Sequence, residues 1–188
     1  MALIKSIAGN EICDQTCRNT VNDISIGGRN YVLKSEDLSG FKIENTTMTT
    51  WSNQVFTRVG GSSGPIYGIC CDVDIPIAAG DATCLTVELT NVSGRINVGL
   101  CNVGQHSFPW DDAMTTIAAD ERCRLTTTWS VGHSLIRIYI ASREINATCK
   151  LSKIKLEKGN KPTDYSPSPL DTFAMHDDGN GNITMSLL

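Results

Sequence analysis

Apolar and polar residues alternate with a period of two along most of this chain, the spacing of a half-buried β-strand. Val55, Thr57 and Val59 oppose Phe56 and Arg58. Leu85, Val87 and Leu89 oppose Cys84, Thr86 and Glu88, and Ile96, Val98 and Leu100 repeat the pattern. Cys123, Leu125, Thr127 and Trp129 share one face, which predicts a core position for Trp129. Ile136, Ile138 and Ile140 oppose Leu135, Arg137 and Tyr139. Asn30 to Leu33 reads as a short first strand, and Ile66 to Ile77 as a long apolar one. Cys149 and Leu151 fall out of phase with Ile154 and Leu156 across Ser152-Lys153, which predicts a bulge. Clusters of Gly, Ser, Asn and Pro at 60–65 and 91–94 supply turns. Seven or eight strands without a helical stripe in the body predict an all-β protein, an antiparallel two-sheet jelly-roll sandwich.

The two ends read differently. Cys13, Cys17, Thr20 and Ile24 recur at helical spacing, widened by Val21, and Gly27-Gly28 ends the run. So short an α-helix is marginal alone and must pack on its own domain or on other copies. The stripe of Cys13, Cys17, Val21 and Ile24 favours other copies, which makes residues 1–27 an attachment or oligomerisation unit. Residues 28–169 form the sandwich. In the tail, 170–188, Asp178-Gly179-Asn180-Gly181 predicts the turn of a C-terminal β-hairpin.

Composition narrows the function classes. The 188 residues carry a net charge of −4 and no basic run, which argues against a nucleic-acid partner. No apolar stretch reaches the roughly 18 residues of a membrane span, and the opening MALIKSIAGNE is too short for a secretory signal core. Eight cysteines invite a disulfide framework, but Cys84, Cys101, Cys123 and Cys149 sit inside strand-like runs, where a thiol packs as a small hydrophobe. Core thiols are therefore expected, with a Cys84–Cys101 disulfide as the alternative. Cys13 and Cys17 lack a second ligand pair for structural zinc. Residues 177–182 echo a calcium loop without its closing Glu. No metal or cofactor is expected. Four Asn-x-Ser/Thr sequons, at Asn45, Asn91, Asn146 and Asn182, read as strand and turn residues without a secretory route.

Catalysis needs a constellation, and no HExxH pair occurs. Asp111 and Asp112 are adjacent, whereas glycoside hydrolysis needs carboxylates facing each other across a sugar. Asp72 and Asp74 share a strand face and read as edge solvation. The expectation is a non-enzyme. Binding has better material: the segment 102–112 gathers His106, Phe108, Trp110, Asp111 and Asp112 into one long loop, the groups that hold sugars by ring faces and hydrogen bonds. The competing reading has Phe108 and Trp110 capping one end of the sandwich, with an intersubunit contact as a third role. Trp51 reads as packing, with an exposed platform as the alternative.

Two stretches carry a resemblance. Ile154-Lys155-Leu156-Glu157-Lys158-Gly159-Asn160-Lys161-Pro162-Thr163-Asp164-Tyr165-Ser166-Pro167 resembles the IKLEKGNKATDWTPAP signature. That signature closes carbohydrate-binding-module-like jelly-roll domains in tail and baseplate proteins of phages infecting Gram-positive bacteria. Gly28-Arg29-Asn30-Tyr31-Val32-Leu33-Lys34-Ser35, with Asp37-Leu38-Ser39-Gly40, resembles the GRNLLLNS…DFSG opening of the same domains. Asp74 to Gly80 followed by Leu85-Thr86-Val87 looks like their middle segment, and Gly9 to Arg18 is similar to NGYEIVDAxAR segments of phage baseplate and fibre subunits. Cys17 stands where that last pattern has Ala. The resemblance implies a complete, short virion structural protein of fibre or baseplate type, assembled in the host cytoplasm. It also implies a homotrimer with other virion proteins and a host cell-surface glycan as partners. A purely architectural subunit of capsid, collar or tail is the alternative. A module of a polysaccharide-degrading system is a third reading, which expects a secretion signal and a catalytic neighbour.

Overall fold

The computed structural model describes residues 28–61, 66–103 and 113–168, together with the backbone of two C-terminal strands. The predicted N-terminal helix, with Cys13, Cys17, Val21 and Ile24, lies outside the described residues. So does the loop that carries His106, Phe108, Trp110, Asp111 and Asp112.

The chain runs β1 (Lys42–Ile43), β2 (Thr49–Ser52), β3 (Val55–Arg58), β4 (Tyr67–Ile77), β5 (Ala82–Ser93), β6 (Ile96–Asn102), β7 (Ala113–Ile117), β8 (Glu121–Thr128), β9 (His133–Ser142) and β10 (Thr148–Lys158). These strands form two antiparallel sheets of five, in the orders β1-β4-β9-β6-β7 and β2-β3-β10-β5-β8. From β3 onward every connection but the β6–β7 hairpin changes sheet, a path consistent with a jelly roll. β11 (Phe173–Asp177) and β12 (Ile183–Leu187) pair separately as a two-stranded antiparallel ribbon. Among the described residues there is no helix.

One core joins the sheets. Ile69, Val73 and Ile75 of β4, Val98 and Leu100 of β6 and Ile136, Ile138 and Ile140 of β9 meet Leu85, Val87 and Leu89 of β5 and Leu151, Ile154 and Leu156 of β10. Each such side chain contributes roughly 1.5–3 kcal/mol by leaving water. The alternation that predicts these strands thus places their apolar faces inward. Trp129 is buried, and its indole N–H donates to Thr83 Oγ1 at 2.9 Å. Trp51 is half-buried against Phe41, with ring centroids 5.8 Å apart. The bulge in β10 falls where the phase change predicts it: the register shifts between Ser152 and Lys155, and Lys153 has a φ of 48°.

Two expectations are corrected. Residues 30–33 are not a strand. Lys34 and Leu38 adopt left-handed φ angles of 54° and 56°, so the chain turns and inserts Val32, Leu38 and Phe41 into the core. A Cys84–Cys101 disulfide is absent, and neither cysteine is in a disulfide. Cys84 alternates out of phase with core residues Leu85 and Val87, and Cys101 with Leu100, so each points away from the shared core on a different sheet.

The open side of the sandwich is sewn shut by polar side chains. Asn30 is fully buried and uses its whole amide: the NH2 donates to Ile154 O at 2.9 Å and Ser166 O at 3.1 Å. Its oxygen accepts from Val32 N at 3.0 Å and Leu156 N at 3.2 Å. Next to it, β10 presents Lys155 and Glu157, each side chain 1% exposed, to a tail that turns back at Gly159. Lys155 Nζ donates to Thr163 Oγ1 at 2.6 Å and Asp164 O at 2.7 Å. Thr163 in turn donates to Glu157 through its backbone N–H at 2.8 Å and its hydroxyl at 2.7 Å.

Asn30→Ala orphans two buried carbonyls and two N–H groups. It is expected to cost about 3 kcal/mol and lower the Tm by roughly 6–12 °C. Asn160→Ala, on an exposed turn without such bonds, should stay within about 0.5 kcal/mol; thermal denaturation of both checks this. The thiols give a second prediction. Burial pushes Cys70 up to about 11 and Cys71, Cys123 and Cys149 up to about 12. At pH 8 a disulfide reagent should leave the six buried thiols untouched in the native protein and titrate all eight cysteines in denaturant.

Candidate functional site

The sandwich turns a charged face outward on the β1-β4-β9-β6-β7 sheet. Alternate residues of β4 and β9 point away from the core and place Asp72 beside Arg137 and Cys70 beside Tyr139. Arg137 grips Asp72 with two prongs, Nε to Oδ1 and Nη2 to Oδ2, the latter at 2.9 Å. Tyr139 donates its phenol hydrogen to Glu44 Oε1 and lies 3.5 Å from Arg137 Nη1. The result is a row of Asp72, Arg137, Tyr139 and Glu44 that runs from β4 across β9 side chains to the residue following β1. Cys70, Cys101 and Ala141 are buried beside it, with Ile66 and Met114 packed on them.

The electrostatics follow from these contacts. The Arg137 hydrogen bonds hold the Asp72 carboxyl below its ordinary value against the cost of burial. The same bonds hold Arg137 above its own. Burial, and then the Glu44 carboxylate that accepts its proton, push the Tyr139 phenol up. Asp72 and Asp74 do share a face of β4, as their spacing predicts, but their circumstances differ. Asp72 is committed to Arg137, while Asp74 is exposed.

A groove runs along the free edge of β4, where β1 covers only Ile69 and Cys70. It consists of two adjoining depressions of about 210 and 260 Å³ that share Tyr31, Leu33 and Asp74. Arg29 lays its guanidinium 5.0 Å from the Tyr31 ring centroid, and Leu33 stands 47% exposed. Strand alternation does not reveal this groove, because its walls lie about forty residues apart in sequence. The only sequence signal was the aromatic at position 31 within the opening motif. A third depression, of about 340 Å³, lies where β6 ends at Asn102 and β9 begins at His133, beside the flank of the predicted aromatic loop. Among the described residues no cluster of His, Cys, Asp and Glu could hold a metal ion.

A buried cation escapes sequence reasoning altogether. Arg58 has the inward phase of Phe56 and is fully buried, its guanidinium carbon 4.4 Å from the Tyr67 ring centroid. Nη1 donates to Met48 O and Gly60 O, whereas Nε and Nη2 have no hydrogen-bond partner among the described residues.

No protein-family model matches the sequence, and no curated protein matches it. Solved structures do resemble the fold. One is a family 4 carbohydrate-binding module, with 13% identity, a TM-score of 0.40 and coverage of 64% of this chain and 79% of that one. Another comprises the CBM22-1 and GH10 modules of Clostridium thermocellum xylanase 10B complexed with xylohexaose, with 9% identity, a TM-score of 0.47 and coverage of 74% and 30%. A third is the enzymatically active domain of tailspike protein 4 of bacteriophage CBA120, with 11% identity, a TM-score of 0.46 and coverage of 69% and 21%. This chain therefore spans less than a third of the last two. The fold assignment stands on the strand order and the shared core.

Asp72 supplies a pH prediction. A carboxyl held low in the folded state stabilises the fold above its unfolded value near pH 4, and that contribution is lost as pH falls through the folded value. Asp37 and Asp81, lowered by backbone N–H groups of Ser39 and Ala78, act in the same direction. Asp72→Asn should lower the Tm at pH 7 by several degrees, through a loss of roughly 1–3 kcal/mol. It should also lose less on acidification from pH 5 to pH 2 than the parent does, as circular dichroism melts at each pH would show.

Proposed function

We propose that the chain is a non-catalytic virion structural protein of a phage of Gram-positive bacteria, of fibre or baseplate type, whose sandwich binds a host cell-surface glycan. The observation that carries this reading is the clasp between the two stretches of resemblance. Residues 28–40 and 154–167 are over a hundred positions apart, yet Asn30 bonds to Ile154, Leu156 and Ser166, Ser35 to Tyr165, and Ser166 to Gly28 O. The motif residues explain one another, which supports reading the two motifs as one domain signature.

The rest of the reading follows from that signature. The protein works as a homo-oligomer, a trimer, held with other virion proteins through residues 1–27, where Cys13, Cys17, Val21 and Ile24 form the contact stripe. The glycan contacts include His106, Phe108, Trp110, Asp111 and Asp112. Several weak sites on one particle gain avidity without new contacts when all reach the surface together.

The test is binding of the purified protein to a panel of Gram-positive cells and their extracted wall glycans, with Trp110→Ala in parallel. Saturable binding to some strains, weakened about tenfold by Trp110→Ala as expected for loss of an aromatic anchor, supports the adhesin and its loop. Binding that ignores the substitution keeps the adhesin and removes Trp110 from its site. A folded, oligomeric protein that binds none of the panel favours the purely architectural subunit.

A further inference from the structure

We propose that the groove along the free edge of β4, between Tyr31 and Asp74, is a saccharide subsite that seats one ring of the host glycan. This deepens the glycan-binding reading and rests on it.

The floor of the groove is a strand edge. Cys71, Asp72, Val73 and Asp74 line one depression consecutively, which only the side of a strand can do. Glu44 N donates to Gly68 O, so Gly68 turns its backbone groups toward β1. Alternate residues repeat that orientation in an antiparallel ladder. Asp72 and Asp74 therefore aim N–H and C=O groups at an edge that β1 leaves uncovered beyond Cys70. Donors and acceptors thus alternate along the floor.

The walls complete a sugar's requirements. The Asp74 carboxylate is exposed and has no partner among the described residues, so it accepts from hydroxyls. Arg29 is exposed and held over Tyr31, so its N–H groups donate. Tyr31 is anchored by its own N–H to Leu156 O at 2.9 Å, and with Leu33 it offers apolar surface to the C–H face of a ring. A saccharide hydroxyl both donates and accepts, and the mixed lining meets it either way. At about 210 and 260 Å³ the depressions are below the roughly 300–1,000 Å³ of drug-sized clefts. That volume suits a ring and its neighbour's edge.

An extended peptide is the competing occupant of any open strand edge. This edge is poor for one. The β4–β9 register shifts between Asp74 and Ile77, and Pro76, which has no N–H, lines the far depression. Only Asp72 and Asp74 are left to pair before the ladder breaks, which is how natural edges resist strand addition.

The full-length chain, labelled with nitrogen-15, is titrated with oligosaccharides released from the walls of a strain that it binds. The variants Asp74→Asn and Leu33→Ser, both at exposed positions that leave the core intact, are run beside it. The expected result is a shift of the Asp72, Asp74 and Tyr31 amides on titration, with affinity reduced about tenfold by Asp74→Asn. Binding with shifts confined elsewhere and no effect of either variant overturns the subsite and leaves the glycan reading standing. Absence of binding to every wall glycan overturns both. Shifts of the same amides by an alternating Thr-Val peptide, with none from the sugars, reassign the edge to strand docking.

Discussion

Lys155 and Glu157 lie two apart on the outer face of β10, and both are buried. Water would solvate them if the strand face were open. The fold instead lays the tail over them, and Thr163 stands between the charges, accepting from the ammonium and donating to the carboxylate. A buried ion pair adds little net stability over an apolar filling, yet losing one partner is costly, so it fixes geometry more than it adds free energy. Here the geometry it fixes is the path of the chain after Gly159. The tail has one place where both charges are satisfied, and that place brings Ser166 to Gly28 O at 3.1 Å. Asn30 locks the same corner from the other side. Gly28 and Ser166 therefore meet at one point of the sandwich.

That corner determines what the remaining surface can do. The tail covers part of the outer face of the β2-β3-β10-β5-β8 sheet. The opening segment, held by Asn30, runs out along the other sheet as far as Lys34 and forms one wall of the groove at β4. A motif that is structural by residue type thus shapes a candidate binding surface indirectly. Replacing Asn30 would disturb the position of Tyr31 as well as stability, because Tyr31 N and Leu156 O belong to the same short stretch of pairing.

The long central strands were legible in the sequence because each buries one face, and burial writes a period of two into the residues. β4, β5, β9 and β10 follow it closely, including the phase change at Ser152-Lys153. The short edge strands wrote no such pattern: Lys42–Ile43 is two residues, and Thr49–Ser52 is mostly polar. Asn30 to Leu33 read as a short apolar strand without being one, because the Asn30 side chain supplies bonds that a neighbouring strand would otherwise make. Arg58 obeyed the alternation against the expectation for a charged residue, with the Tyr67 ring and two carbonyls as its surroundings. The groove at Asp74 was illegible for a simpler reason. It depends on where β1 stops, and no local pattern encodes the end of a neighbour.

A shallow groove of this size has a functional corollary. One sugar ring touching a ring face, a carboxylate and a few backbone groups offers few fully desolvated contacts, and association must still offset the lost freedom of the ligand. Such a site is weak by itself. Weakness is tolerable, and even useful, in a protein displayed in many copies on one particle, because rebinding within the array replaces affinity at each site. On the proposed multivalent reading the fixed corner would help: with residues 28 and 166 at one point, each copy would present the β4 edge in the same orientation. A polysaccharide surface repeats its epitope, so equally oriented weak sites can engage at once. On the proposed reading the ion-pair clasp and the groove would be parts of one arrangement, the first fixing direction and the second supplying contact.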